Sequence, residues 1–346
     1  MKVLVTMGFF DDSGECRLVE VDLDRGRHET RLSFIPPEPF RLPEKGFTGA
    51  MWSGAAASST LFVCGSNAVF LVEPNGFDVV DVWHQPCMND LHHVAVTRER
   101  VYVVNTGLEA IDVFSREGLF LGSHALHPGW ISAQRQGGSS PSRHDWPALR
   151  NAHWPPTLDQ VRHDEPRGDY YTPQISAASM PFSRRKLRDY VHPNHVAVLE
   201  SQILVTRFLD RAVEDIVEFT PVIEALPGLP HDGFVHDDQF WLTCVNGLIV
   251  AHSIERGRVT AREVARIDAF ASGHAGWCRG LFVTRDHLVV GLTEIRRMPQ
   301  YRWADRPIES TETSILLLHK RTGKLEQRVP LNEGKRHTKI FSVLPM

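Results

Sequence analysis

The chain has 346 residues, a formal charge of −4 at pH 7 and 42% hydrophobic residues, enough apolar mass for a large buried core. A slightly acidic balance with scattered arginines carries no electrostatic footprint for nucleic acid, and no run approaches the roughly 20 apolar residues that cross a bilayer. The five cysteines (Cys16, Cys64, Cys87, Cys244 and Cys278) form no CxxC pair and are odd in number, which argues against a zinc knuckle and a disulfide scaffold.

The apolar stretch from Val3 to Phe10 is short for a signal-peptide core and reads as a strand, so a cytoplasmic location is expected. Short runs of Val, Ile, Leu, Phe and Thr then alternate with turns such as Pro74-Asn75-Gly76, Arg116-Glu117-Gly118 and Arg321-Thr322-Gly323. Helical periodicity of useful length is scarce. This predicts an all-β fold: sandwich, barrel or propeller.

Three strands are predicted first, over 3–7, 16–22 and 28–33. Five units of four predicted strands follow. They run from 49 to 84, from 92 to 124, from 195 to 226, from 233 to 267 and from 281 to 331. A last strand, over 338–344, resembles the first strand of a unit. Pairing it with the N-terminal strand completes a sixth unit and removes a free sheet edge. The expectation is therefore a six-bladed β-propeller, one domain over 1–346, closed by its N- and C-terminal strands; five or seven blades are the neighbouring counts. Residues 127–190 break the pattern. They are rich in Pro, Ser, Arg, Trp and His, and a segment this long without strand pattern is read as a cap over the channel mouth or an oligomer contact.

Four predicted blades open with polar residues ahead of a β-run: Leu91-His92-His93-Val94, Pro193-Asn194-His195-Val196, Pro230-His231-Asp232-Gly233 and Trp277-Cys278-Arg279-Gly280. In a propeller these starts gather at one mouth of the channel. Aligned, His93, His195 and Asp232 make one row; His92, Asn194, His231 and Arg279 make another. Side chains alternate along a strand, so one row should face inward, unless bulging mixes them. The sequence does not choose.

Neutral imidazoles ligate zinc, iron, copper or nickel. His93, His195, His231 and Asp232 are thus candidate ligands for a divalent transition metal, although a histidine at a strand start also serves as a simple hydrogen-bonding cap. Second strands return to the same rim. There Asn105, Arg207, Asn246 and Arg296, with Arg279, are candidate contacts for an anionic small molecule. Each arginine equally suits a blade-to-blade salt bridge. Glu294 and His92 are candidate proton-transfer groups.

The runs Gly276-Trp277-Cys278-Arg279-Gly280-Leu281 and Val290-Gly291-Leu292-Thr293-Glu294-Ile295-Arg296, with Pro230-His231-Asp232-Gly233 and Val103-Val104-Asn105-Thr106-Gly107, resemble a poorly characterised bacterial family of propeller-like repeats. The resemblance covers roughly Asn89 to Arg297. More broadly the chain is similar to six-bladed propellers of the gluconolactonase, paraoxonase and strictosidine synthase type. The first two of these hold a divalent cation at the mouth, mostly through carboxylates and Asn. Here His takes those places apart from Asp232 and Asn194, which favours a transition metal over calcium.

Three functional expectations follow. The first is a metal-dependent hydrolase, lyase, isomerase or oxygenase acting on a small anionic molecule. The second is a non-catalytic propeller that binds a glycan, a small ligand or a protein. The third is metal-free acid–base catalysis by the same histidines.

Overall fold

The computed structural model describes residues 1–56, 58–126, 191–296, 304–308 and 310–346. The expected cap over 127–190 lies outside them. The described strands form six antiparallel four-stranded sheets. The first blade combines β1 (Lys2–Phe9), β2 (Cys16–Asp22) and β3 (Arg27–Phe34) with β24 (Thr338–Pro345), in the order β24-β1-β2-β3. Four blades then follow in chain order. They are β4 (Ala50–Trp52) to β7 (Val79–Trp83), β8 (Leu91–Val96) to β11 (Phe120–Ala125), β12 (Pro193–Val198) to β15 (Thr220–Ile223), and β16 (Pro230–His236) to β19 (Arg258–Asp268). The sixth runs from β20 (Trp277–Val283) to β23 (Leu325–Pro330). Strands β4, β8, β12, β16, β20 and β24 neighbour one another in turn and close a ring. This is the predicted six-bladed propeller, with the two ends of the chain paired in one sheet.

The core follows from that geometry. The inner strands of a blade are largely buried on both faces because the blade is covered by its two neighbours, while outermost strands such as β3 and β7 stay partly exposed, and six apolar clusters fill the six blade boundaries. Trp241, Leu288 and Leu316 lie in one such wedge, and Phe47, Leu61 and Phe70 in another.

A second device runs around the ring. At each boundary one side chain hydrogen-bonds the backbone of the next blade. Thr48 donates to Leu91 O at 2.7 Å, Thr106 to Pro193 O at 2.6 Å and Asn194 to Pro230 O at 3.4 Å. Asp232 accepts from Gly280 N at 2.6 Å, Thr293 donates to Ile340 O at 3.1 Å, and Ser342 accepts from Ala50 N at 3.3 Å. Apolar wedges are non-directional; these six bonds fix the blades' relative heights.

Candidate functional site

The inner strands share one irregularity at their start: two residues oppose a single residue of the second strand. His92-His93 stand against Val104, Asn194-His195 against Thr206, and His231-Asp232 against Thr243. Arg279-Gly280 stand against Gly291, and Phe341-Ser342 against Thr6. Thr48 N bonds Cys64 O while Cys64 N bonds Gly49 O, the same two-against-one arrangement in the remaining blade. Such a bulge suspends the strict alternation of side chains. The two rows that alternation keeps apart therefore meet.

Three threonines hold the bulges open. Thr206 Oγ1 accepts His195 N at 2.9 Å, Thr243 Oγ1 accepts Asp232 N at 3.1 Å, and Thr6 Oγ1 accepts Ser342 N at 2.8 Å. These N–H groups lose their ladder partner at the bulge and would otherwise be buried without one. The strands consequently begin at Pro193, Pro230 and Trp277, two to four residues before the regular pattern that the sequence displays.

At the mouth, the His93 and His195 ring centroids are 3.9 Å apart. His92 stacks on His231 at 5.9 Å and meets the edge of His192 at 5.1 Å. Asn194 Oδ1 bonds His92 Nδ1. His231 Nδ1 lies 2.7 Å from Asp232 Oδ2, the oxygen that also accepts the Gly280 amide. Among the described residues, His231 Nε2, His195 Nδ1 and Arg279 Nε have no protein hydrogen-bond partner. His231 is only 3% exposed and His195 6%.

Burial depresses His92, His93, His195 and His231, His93 to about 4, against the opposing pull of Asp90 on His92 and of Asp232 on the others. They are neutral imidazoles near neutral pH. Burial pushes Asp232 the other way, but His231 and the Gly280 N–H outweigh it and hold the carboxyl low, so it is ionised.

Cations occupy the other side of the ring. The Arg279 guanidinium lies over Trp277 at 4.5 Å and over Phe341 at 4.8 Å. Burial lowers it to about 10, against Asp232 and Asp90. Lys339 is 5% exposed; its ammonium donates to Glu44 O and lies 4.7 Å from the Phe10 ring centroid. Burial, with Lys45 and Arg279 nearby, holds it well below the usual lysine range. Lys45 pairs with Asp90 at 2.5 Å. Asp90 and His192 stand at equivalent positions of adjacent blades, and both adopt left-handed backbone, with φ of 51° and 52°. This is a conformation that Asp and His tolerate better than most residues.

Sequence reasoning missed Lys339, Lys45, Asp90 and His192. Lys339 had a readable signal: it lies two residues before Phe341, as Trp277 lies before Arg279 and Asp90 before His92, once the last strand is aligned as the inner strand of a blade.

Other expected site residues are engaged elsewhere. Arg207 is saturated by Asp210 (2.5 Å), Glu214 (2.6 Å) and Leu126 O (3.2 Å), the bracing alternative rather than an open anion contact. Asn105 ties Cys87 O and Asp112 to Asn89 N, and Asn246 ties Pro227 O, Asp305 and Leu248 N. Each amide is spent on its own rim loops. Glu294 stands 2.7 Å from His337 Nδ1 and 3.8 Å from Arg296, whose guanidinium donates to Phe10 O at 3.3 Å. This pair stands on the rim, with Arg296 over the Phe10 ring that also lies beside the Lys339 ammonium.

The expected ligand set, His93, His195, His231 and Asp232, is brought together, but not as a coordination shell. Among the described residues no group of three or more His, Cys, Asp or Glu side chains is arranged to hold a metal ion. Asp232 Oδ2 is already shared between His231 and Gly280, and the Nδ1 of His231 is spent on that carboxylate. The residues as placed do not fit a metal centre. No helix among the described residues is long and apolar enough to cross a membrane.

No protein-family model matches the chain, and no curated protein does. Solved structures do resemble it. A protein of unknown function from Bacteroides caccae is 11% identical, with 100% of this chain and 99% of that one covered and a TM-score of 0.56. A chain of a nidogen/laminin complex is 7% identical, with 99% and 97% covered and a TM-score of 0.57. Virginiamycin B lyase from Staphylococcus aureus is 8% identical, with 84% and 77% covered and a TM-score of 0.46. At such identities the likeness is one of fold. The chain is a six-bladed β-propeller whose inner strands bring several buried histidines together.

Proposed function

We propose that the protein is an enzyme that acts on a small molecule at the channel mouth by general acid–base catalysis. His231 transfers the proton and Asp232 orients it. The observation that carries this reading is the His231–Asp232 pair. The carboxylate takes Nδ1–H, which fixes the tautomer and leaves Nε2 as a base without a protein partner. When Nε2 accepts a proton from the substrate or from a water, the adjacent carboxylate stabilises the imidazolium, and Nε2 can return the proton to the leaving or rearranged group. Hydrolysis, elimination and isomerisation all use this cycle. His92 stacks on His231 and, like His93 and His195, is neutral, so the pair works without competing cationic imidazoles beside it.

The test is turnover of a panel of lactones, sugar acids and oxo acids by the full chain in D2O. Hydrolysis and C–H exchange are followed by proton NMR, with and without EDTA. Expected is turnover that survives EDTA and falls about 10²-fold or more in His231→Asn. Turnover indifferent to that substitution, or abolished by EDTA and restored by added zinc or iron, overturns the reading; the latter result returns the site to metal chemistry.

A further inference from the structure

Going around the ring, the polar side chains of the mouth are sorted by type. Three consecutive inner strands, β8, β12 and β16, bring His92, His93, His195 and His231, and His192 directly precedes β12. The next two, β20 and β24, bring Arg279, against Trp277 and Phe341, and Lys339, beside Phe10. Lys45 precedes the remaining inner strand and reaches the same cluster through Asp90. One half of the opening is imidazole and the other half is cationic. The two halves are in electrostatic contact, since His231 feels Arg279, and Arg279 feels both Asp232 and Asp90.

The carboxylates beside the histidines are already engaged. Asp90 is spent on Lys45 at 2.5 Å, and Asp232 on His231 and the Gly280 amide. Arg279 lies over two aromatic rings and has no protein partner for Nε among the described residues. Lys339 is buried with its ammonium on a neutral carbonyl, Glu44 O. The Glu44 carboxylate also acts on Lys339, so the cluster is close to neutral overall. Burying net charge is expensive, so a ligand that brings a single negative charge is favoured over one that brings two. A planar carboxylate also matches the guanidinium fork.

Resting on the acid–base reading above, we propose that the substrate is a small monocarboxylate. Its carboxylate is held between Arg279 and Lys339, and its reacting carbon or oxygen points across the mouth to His231 Nε2. Arg279 and Lys339 are positioning residues in this scheme; His231 is the catalytic one.

Isothermal titration calorimetry of the full chain with acetate, glycolate and pyruvate tests this, with inorganic phosphate and methylammonium as comparison ligands. Expected is saturable binding of at least one carboxylate. It should weaken about tenfold or more in Arg279→Met and in Lys339→Met, and persist in Lys339→Arg. Arg279→Lys provides a milder variant should Arg279→Met melt early. His231→Asn keeps carboxylate binding, so loss of turnover with binding intact leaves this inference standing. Binding intact with turnover also indifferent to His231 sinks the acid–base reading alone. No saturable carboxylate binding, equal binding in the Met variants, or phosphate held more tightly than every carboxylate overturns the proposal.

Discussion

The Gly280 amide donates to Asp232 Oδ2 at 2.6 Å across the boundary between two blades. The carboxylate that orients His231 is therefore positioned by the neighbouring sheet and not by its own. Gly280 has φ +71°, and a Cβ there would stand 2.8 Å from Val343 Cγ2. Gly280→Ala should destabilise the protein by about 1–3 kcal/mol and loosen Asp232. Urea melts measure the first effect and turnover the second. A variant as stable and as active as the parent contradicts this assignment.

Asp232→Asn keeps the shape of the side chain but supplies an NH2 group where a carboxylate stabilised the imidazolium. Turnover should fall about 10²-fold or more, with little change in binding. Nitrogen-15 NMR of His231 should show its ring tautomers redistributed. An unchanged tautomer would mean that Asp232 serves only as the stitch to Gly280.

Thr243 Oγ1 is the hydrogen-bond partner of Asp232 N at the bulge. Thr243→Val is close in volume and leaves that buried N–H unpaired, at a cost of about 1–3 kcal/mol. Thr206→Val should behave alike through His195 N. If both valine variants match the parent in chemical denaturation, the bulges stand without their threonines.

Six buried histidines give stability a defined pH slope. Burial holds His92, His93, His124, His195, His231 and His252 below 6.5, with His93 at about 4 and His124 at about 3. The unfolded chain binds protons at these rings as the pH drops through about 6.5, and the folded protein does so only further down. Unfolding therefore takes up protons, and stability falls as the pH is lowered from about 6.5, by at most about 1.4 kcal/mol per pH unit for each ring. Asp112 opposes this in part: burial raises it to about 6, so the folded form holds a proton that the unfolded form releases down to 3.8. Calorimetry should show Tm falling between pH 7 and 5. A flat Tm over that window would mean that the rings are solvated.

A Cβ on Gly49 would lie 2.3 Å from both His92 O and His93 Cα. The inner strands of two blades touch there, backbone to backbone. Gly49→Ala must push them apart and should prevent folding or cost several kcal/mol. Soluble expression and melting temperature decide the point, and a folded, fully stable variant would mean that the blades can separate freely.

The ring was readable from sequence because each blade repeats the same order of apolar runs and turns, and because the last strand looks like the first strand of a unit. The site was readable only in part. His92 and His93 were left in competing rows, since alternation holds for a regular strand and nothing in Leu-His-His-Val marks the bulge that suspends it. Arg207, Asn105 and Asn246 sit at strand ends on the rim, but rim position does not reveal that Asp210, Glu214, Asp112 and Asp305 occupy them. Lys339 is legible only once the last strand is aligned as an inner strand: taken alone, a lysine in a short strand reads as exposed, and closure against Phe10 and Glu44 buries it.

That closure has a temporal consequence. Of the strands described, β24 leaves the ribosome last, and it carries Lys339, Phe341 and the serine that locks onto Ala50. A nascent chain holds the histidines of the inner strands before it holds Lys339, so on the proposed reading ligand capture waits for the strand that closes the ring.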